Sequence, residues 1–432
     1  MAGVSDRGLT KAGPWPRGVD NTSQEGALPV DDFGQTVALR EAVNVDLSAA
    51  GRPRRRAGYL PILSGSLVHS LWSAENLDFA LFVDDGALTA LRPDESMFAL
   101  GAYLGNHPVS YALVNDRVYC CNRTGGRLVD SGLQAWSWAP EQPAGQPTLT
   151  AVAGALAPGQ YQVAVTFTDA LGRESGSTVA AVIDLAATGG IQVTDVPAPA
   201  QGLVNLYCSG PNATVLRLYD SAQAWPGGTM IIGEAVGRPL VTQHLEPMPF
   251  GDIVRFGHGR LWVARGHELF WSDPLRYGLF RPSQNRMRFN APIDLIEPYG
   301  DGTGGAGVYV AAGNHTYWYG DADPAKWTQA IASHAGAVPG SSAVMPGSAV
   351  GRGSDAPVLV WLSRSGKLVV GAGGAVTEIQ NGAVIDTADR AAPLVRDRNG
   401  DTHYVAALRA PQKHGLAVSD TAYAHVVHRD AP

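Results

Sequence analysis

The residues able to do chemistry are few in this chain, and most sit where a turn would need them. Asp397-Arg398-Asn399-Gly400-Asp401 places oxygen donors alternately around a glycine, as a calcium loop does. The downstream glutamate that would complete such a loop is missing. Asp, Asn and Gly are also the residues of a tight surface turn, so a turn is expected. His403, His414, His425 and His428 gather towards the C-terminus. His425 and His428 are spaced to share a metal on a helix, but no cysteine or partner motif accompanies them, and a polar tail is the expectation. The cysteines are the adjacent pair Cys120 and Cys121, and Cys208. Neighbouring cysteines rarely bridge and an odd count makes no disulfide framework, so they read as small buried hydrophobes in a reducing compartment. There is no Gly-x-Ser-x-Gly elbow, no His-Glu-x-x-His and no phosphate-cradling Gly-x-x-x-x-Gly-Lys-Ser/Thr loop. No catalytic, cofactor-binding or metal-ligating residue is assigned, and the chain reads as a non-enzyme without cofactors.

Arginine is the remaining chemistry. One run is Arg52-Pro53-Arg54-Arg55-Arg56. Each guanidinium there could displace a counterion from a nucleic-acid phosphate. No aromatics are interleaved for base stacking, so pairing with an acidic patch on a partner or on the same chain is favoured. A second stretch, Arg276, Arg281, Arg286 and Arg288, alternates with Phe280 and Phe289, a mixture typical of subunit interfaces. The interface candidates are therefore Arg52, Arg54, Arg55, Arg56, Arg281, Arg286 and Arg288. Tyr317-Trp318-Tyr319 has the residue types for stacking on a sugar, although a core hairpin strand uses the same residues and is the favoured reading.

These side chains need a scaffold, and the composition restricts which. The chain has 432 residues, 45% hydrophobic and only 16% charged, with 52 Gly and 29 Pro. Such a mixture, free of low-complexity runs, suits many short strands joined by tight turns. A net charge of −7 argues against a basic nucleic-acid binder. No stretch approaches a membrane-spanning length of apolar residues, and Met1–Arg7 has no secretory h-region, so synthesis and folding in a cytoplasm are expected.

Hairpins recur along the chain. Phe79–Val83 turns at Asp84-Asp85-Gly86 and returns through Ala87–Leu91, an Asp-Gly step between apolar runs. Val109–Val114 turns at Asn115-Asp116 into Arg117–Cys121. The same form returns at Arg260–Ala264 with Glu268–Ser272, at Gly307–Ala311 with Thr316–Tyr319, and at Val358–Leu362 with Lys367–Val370. A looser sixth unit joins His403–Leu408 to Gly415–Val418. The later spacing of about fifty residues is the scale of a four-stranded propeller blade. The fold class is therefore all-β, a β-propeller of divergent blades. Residues 1–58 read as an extended segment, 59–145 as the first propeller part and 246–432 as the second. Between the parts the rhythm changes. Tyr161, Val163, Val165 and Phe167 alternate strictly, Asp169-x-x-Gly172-x-Glu174-Ser175 follows, and further strands are expected to Tyr219. This stretch resembles a fibronectin-III or immunoglobulin-like sandwich, inserted over 146–245 with its core at 146–222.

Two stretches carry a family likeness. The first is Trp15-Pro16-Arg17-Gly18-Val19-Asp20-Asn21, then Leu39-Arg40-Glu41-Ala42-Val43-Asn44-Val45-Asp46-Leu47, Gly51 and Arg54-Arg55-Arg56-Ala57-Gly58-Tyr59. The second is Gly259-Arg260-Leu261-Trp262-Val263-Ala264 with Leu269-Phe270-Trp271-Ser272-Asp273-Pro274. Both are similar to segments of tailed-bacteriophage virion proteins. The family resembled is the tail tube, or nozzle, protein of short-tailed phages. The resemblance implies a homohexameric ring below the head-tail adaptor, flanked by fibres or spikes, with DNA passing through the lumen without sequence-specific binding. It implies a virion protein assembled in the bacterial cytoplasm, and no catalysis. Loop aromatics such as Trp136, Trp138 and Trp225 would serve its subunit contacts. The competing reading is a receptor- or glycan-binding propeller on a virion or cell surface. A propeller hydrolase or lyase would need paired carboxylates in a cavity.

Overall fold

In the computed structural model, residues 13–427 are described, apart from 43–44, 48–50, 56–63, 75, 301, 303–304, 380–382, 386–387, 399–400 and 410–421. The chain is all-β, and helix among the described residues is limited to three short 3-10 turns. Five antiparallel four-stranded sheets follow one another as simple meanders, the form of β-propeller blades. The first blade is His69–Ser73, Ala80–Asp84, Ala87–Leu91 and Met97–Gly101, and the second is Ser110–Val114, Arg117–Cys121, Gly126–Val129 and Ala135–Ser137. The third is Ile253–Gly257, Arg260–Arg265, Glu268–Trp271 and Arg286–Arg288. Ile293–Gly300, Ala306–Ala312, His315–Gly320 and Thr328–Ser333 make the fourth. Ala343–Pro346, Pro357–Leu362, Leu368–Ala372 and Ala375–Glu378 make the fifth.

Four of the five hairpins expected from the sequence are the middle strands of their blades; in the second blade the expected hairpin is the first and second strand, with Ser110–Val114 at the edge. Their apolar runs are continuous because both faces of a middle strand are covered. Arg260–Arg265 and Pro357–Leu362 are almost wholly buried, whereas the last strands Met97–Gly101 and Ala375–Glu378 lie largely open to solvent. The tight turns use the left-handed region as anticipated: Asp85 has φ 46° and Gly86 φ 80°. His258 and Gly259, at φ 53° and 67°, make a comparable turn into the middle strand of the third blade.

The sixth unit differs from the expectation. Asp401–Arg409 pairs with the preceding strand Arg390–Arg398, and Arg398 lies opposite Asp401. The turn-favouring residues Asn399 and Gly400 stand between this directly opposed pair in sequence. The third strand of this sheet is Ala422–Val427, while the expected return at Gly415–Val418 lies outside the described residues.

Between the second and third blades the chain builds two facing sheets. One holds Thr148–Leu156, Gly189–Thr194 and Thr229–Ile231, and the other Ala181–Leu185, Gly159–Thr168, Leu203–Ser209 and Leu216–Ala222. Tyr161, Val163, Val165 and Phe167 from the alternating strand meet Ile191, Val193 and Ile231 from the opposite sheet in one core. The inserted module is therefore a β-sandwich, and its strands run on to Ile231, beyond the expected core end at 222.

By internal contacts the chain divides into two compact units, residues 63–289 and residues 1–62 with 290–432. In the first, the sandwich leaves neighbouring blades in contact. The Ser110 hydroxyl receives the Val254 N–H at 3.0 Å across an interval of 144 residues. The ends of the insertion are also tied, since the Trp138 indole N–H donates to the Met248 carbonyl at 3.0 Å. In the second unit, Tyr309 packs against Trp318 and Trp361 with ring centroids 4.6 and 5.6 Å apart. The N-terminal segment joins this unit by local links rather than long strands. Val19 bridges Leu39, and the short strands Val45–Leu47 and Pro53–Arg55 pair antiparallel.

Candidate functional site

Within residues 63–289 a cleft of about 500 Å³ opens where a blade hairpin meets sandwich loops. Its wall includes the hairpin tip 114–117 of the second blade, residues 172–174 and 238–242 at the base of the sandwich, and the loop 275–279. Four arginines line it, Arg117, Arg173, Arg238 and Arg276, against two carboxylates, Asp116 and Glu174. This is a locally basic place on an acidic chain.

The loop after the alternating strand is held rigidly by Asp169, whose carboxylate accepts the backbone N–H groups of Leu171 and Arg173 at 3.0 and 2.9 Å. Gly172 takes φ 75° in that turn, a conformation that suits glycine. Arg173 is fixed on three sides. Its Nε donates to Asp169 at 2.8 Å, and its terminal nitrogens donate to the carbonyls of Trp138 and Ser137 at 3.1 and 3.0 Å. Glu174, with its side chain only 11% exposed, accepts from the Thr166 hydroxyl at 2.6 Å and the Tyr207 hydroxyl at 2.7 Å, and pairs with Arg238 at 3.1 Å. Burial, and then the hydrogen bond to Glu174, push the Tyr207 phenol well up. Arg276 pairs loosely with Asp273 at 3.7 Å. Arg117 holds no ion pair among the described residues. Thr242 lies behind the wall, and its hydroxyl is buried away from the cleft without a hydrogen-bond partner. Apolar groups form the lip: Val241 and Leu275 are 49% and 75% exposed, and Tyr277 lies between them and the aromatic pair Phe256 and Tyr119.

The sequence-derived candidates lie elsewhere. Arg52, Arg54 and Arg55 are exposed on and beside the strand Pro53–Arg55, where Arg54 stands opposite Asp46 in the ladder. Arg56 lies outside the described residues. Arg286 and Arg288 are exposed on the outermost strand of the third blade, with Met287 half-buried between them, and Arg281 is half-buried. The two basic stretches belong to different compact units. Of the aromatics considered for contacts, Trp138 is 5% exposed and packs in the core shared by the second and third blades, so it serves the fold and no partner surface. Trp136 is half-buried and donates to Asp130 at 2.7 Å, and Trp225 packs against the sandwich core. Trp318 packs at a tilt against Tyr309, and Tyr319 is 2% exposed against Trp327, so blade packing, the favoured reading of this cluster, describes it.

The three cysteines are free and buried, and burial pushes the Cys121 and Cys208 thiols up to about 12, away from reactivity. Among the described residues no group of three His, Cys, Asp or Glu side chains is placed to hold a metal. His403 is buried within its strand, and His414 and His428 lie outside the described residues. No helix of the described residues is long and apolar enough to cross a membrane.

No protein-family model matches this chain, and no curated protein matches it. Solved structures share its sheet repetition only distantly. A streptogramin B lyase is 9% identical, with 80% of this chain and 92% of that chain covered, at a TM-score of 0.34. BBS1N in complex with ARL6DN is 12% identical over 80% and 89%, at a TM-score of 0.31. AztD of Citrobacter koseri is 11% identical over 73% and 87%, at a TM-score of 0.26. Likeness at this level carries no argument about activity.

Proposed function

We propose that this chain is a structural virion protein of a bacteriophage tail, the nozzle that continues the DNA channel below the head-tail adaptor. The observation that carries the reading is the pair of motif stretches, Trp15–Asn21 with Leu39–Tyr59 and Gly259–Pro274, that resemble tail tube proteins. In the second stretch, Arg260–Arg265 and Glu268–Trp271 form the central hairpin of a blade, so the likeness falls on the blade's framework. In the first, Asn21 anchors its segment by a two-way hydrogen bond to the backbone of Val384, at 2.6 and 2.8 Å. A net charge of −7 suits a conduit that must not grip the DNA it passes. The partners on this reading are further copies of the chain in a closed cyclic ring, a hexamer by resemblance, together with the adaptor, fibre or spike proteins and the transiting DNA. Arg52, Arg54, Arg55, Arg281, Arg286 and Arg288 are exposed or half-buried cations on the chain's surface, where contacts between copies would meet them.

The test is electron microscopy and light scattering of the purified protein, alone and with its head-tail adaptor. Rings with a lumen of roughly 20 Å or more, enough for duplex DNA, are the expected result. A strict monomer that stays monomeric with the adaptor overturns the reading.

A further inference from the structure

One end of the fourth blade carries a pair of imidazoles that the fold does not require. The strand His315–Gly320 pairs antiparallel with the outermost strand Thr328–Ser333, and Thr316 stands opposite Ser333. Continuing that register one step past the end of the ladder sets His315 beside His334. Their rings meet edge to face, with centroids 5.5 Å apart and planes at 71°. Neither ring takes part in a hydrogen bond among the described residues. His315 is half-buried and His334 exposed, so the pair opens on solvent. The backbone around it is tied down. The fully buried Thr316 hydroxyl donates to the Ala335 carbonyl at 2.8 Å, and the Ser333 hydroxyl accepts the Ala335 N–H at 3.2 Å. Tyr317 lies against the His315 ring, centroids 5.9 Å apart and planes within 30°. Such support fixes where the two rings stand before any ligand arrives. Like charges facing each other across two strands are destabilising, so the pair is a poor choice for packing alone. Imidazoles are, however, ready ligands of zinc, copper and nickel. With metal–nitrogen bonds of about 2.0–2.1 Å, two imidazoles on one tetrahedral ion stand about 5 Å apart, centroid to centroid. The spacing of His315 and His334 is close to that.

We propose that His315 and His334 together bind one late divalent transition-metal ion, such as zinc or nickel, in an open site at this end of the fourth blade. Each imidazole supplies one ring nitrogen. Water fills the remaining positions, since no third His, Cys, Asp or Glu side chain joins the pair among the described residues. An open site of this kind keeps positions free for a further ligand, unlike a closed four-ligand site. The inference goes beyond the tail-tube reading and does not rest on it, since a single chain carries both histidines.

The test is calorimetric titration of the full chain with zinc chloride, with nickel chloride and with magnesium chloride. Zinc or nickel should saturate a site with a dissociation constant of about 100 μM or tighter, and the tighter of the two identifies the preferred ion. Magnesium, which takes oxygen ligands, should not bind. His315→Gln and His334→Gln should each weaken the binding about tenfold or more. Both side chains are at least partly open to solvent, so without metal both variants should melt within about 2 °C of the parent. Added zinc should raise the melting temperature of the parent and leave that of either variant unmoved. A purely structural pair would give the reverse, a lower melting temperature in the variants with zinc affinity unaltered. The double variant His425→Gln/His428→Gln controls for the C-terminal histidines and should keep full affinity. Three results overturn the proposal: no saturation by about 1 mM zinc or nickel, magnesium binding as tightly as zinc, or full affinity in both His315→Gln and His334→Gln. Loss of binding in the double variant assigns the metal to the C-terminal histidines and overturns it as well.

Discussion

Glu174 shows how one side chain can hold a module together while its exposed partner matters little. It accepts hydrogen bonds from Thr166 and Tyr207 inside the sandwich, and its ion-pair partner Arg238 is 58% exposed. Removing the carboxylate strands the fully buried Tyr207 hydroxyl, so Glu174→Ala should cost about 2–4 kcal/mol. Arg238→Ala removes only a solvent-screened partner and should cost less than about 1 kcal/mol. Chemical denaturation of both variants checks the contrast, and equal losses would mean that the ion pair, not the buried hydrogen bonds, does the stabilising. At this scale the sequence was legible in part. Asp169-x-x-Gly172-x-Glu174-Ser175 marks a sandwich loop, and the cysteines read correctly as buried. The cleft was not legible, because Arg117, Glu174, Thr242 and Tyr277 come from a hairpin strand and three separate loops and converge only in three dimensions. The one local signal is the close run Arg173-Glu174, which has no meaning until Ser137, Trp138 and Tyr207 are placed around it.

At the level of elements, hairpins were the most readable feature because their information is local. An apolar run, a two-residue turn able to adopt positive φ, and a second apolar run specify four blade centres and the opening hairpin of the second blade almost to the residue. The sixth unit differs from its expectation because Asp401–Arg409 takes the preceding Arg390–Arg398 and the later Ala422–Val427 as its neighbours, a pairing over long stretches that no local turn after Leu408 announces. The N-terminal segment was legible only as extended, since its stability comes from side chains acting on backbone. Asp20 accepts from the backbone N–H and hydroxyl of both Ser23 and Thr22. These bonds, Ser23's backbone first, hold its carboxyl below 3.8. A depressed folded value means that the stabilisation is complete above the unfolded value and fades as pH falls through the folded one. Protection of the amides of residues 13–42, taken relative to their intrinsic exchange rate at each pH, should therefore fall below about pH 4. In Asp20→Asn the segment should exchange faster at pH 7 and lose that acid step. Asn21→Ala removes both bonds to Val384, worth about 1–3 kcal/mol, and should open the same segment to proteolysis while the blades melt unchanged.

For the molecule as a whole, the question is whether the sandwich is needed by the blades that flank it. The blades on either side touch directly through Ser110 and Val254, and the two ends of the insertion meet at Trp138 and Met248. The sandwich has its own two-sheet core, while its grip on the blades rests on Arg173 reaching the carbonyls of Ser137 and Trp138 and on Leu171 packed at the edge of their core. Excising residues 141–246 and joining the ends with a short glycine linker should therefore preserve the packing of the second and third blades. Closing a short loop over ends already held together costs little entropy, and the lost hydrogen bonds amount to about 1–3 kcal/mol. The shortened chain should unfold cooperatively with a modestly lower melting point by calorimetry. Collapse of the blades on excision would instead assign the sandwich a share of the propeller's own core.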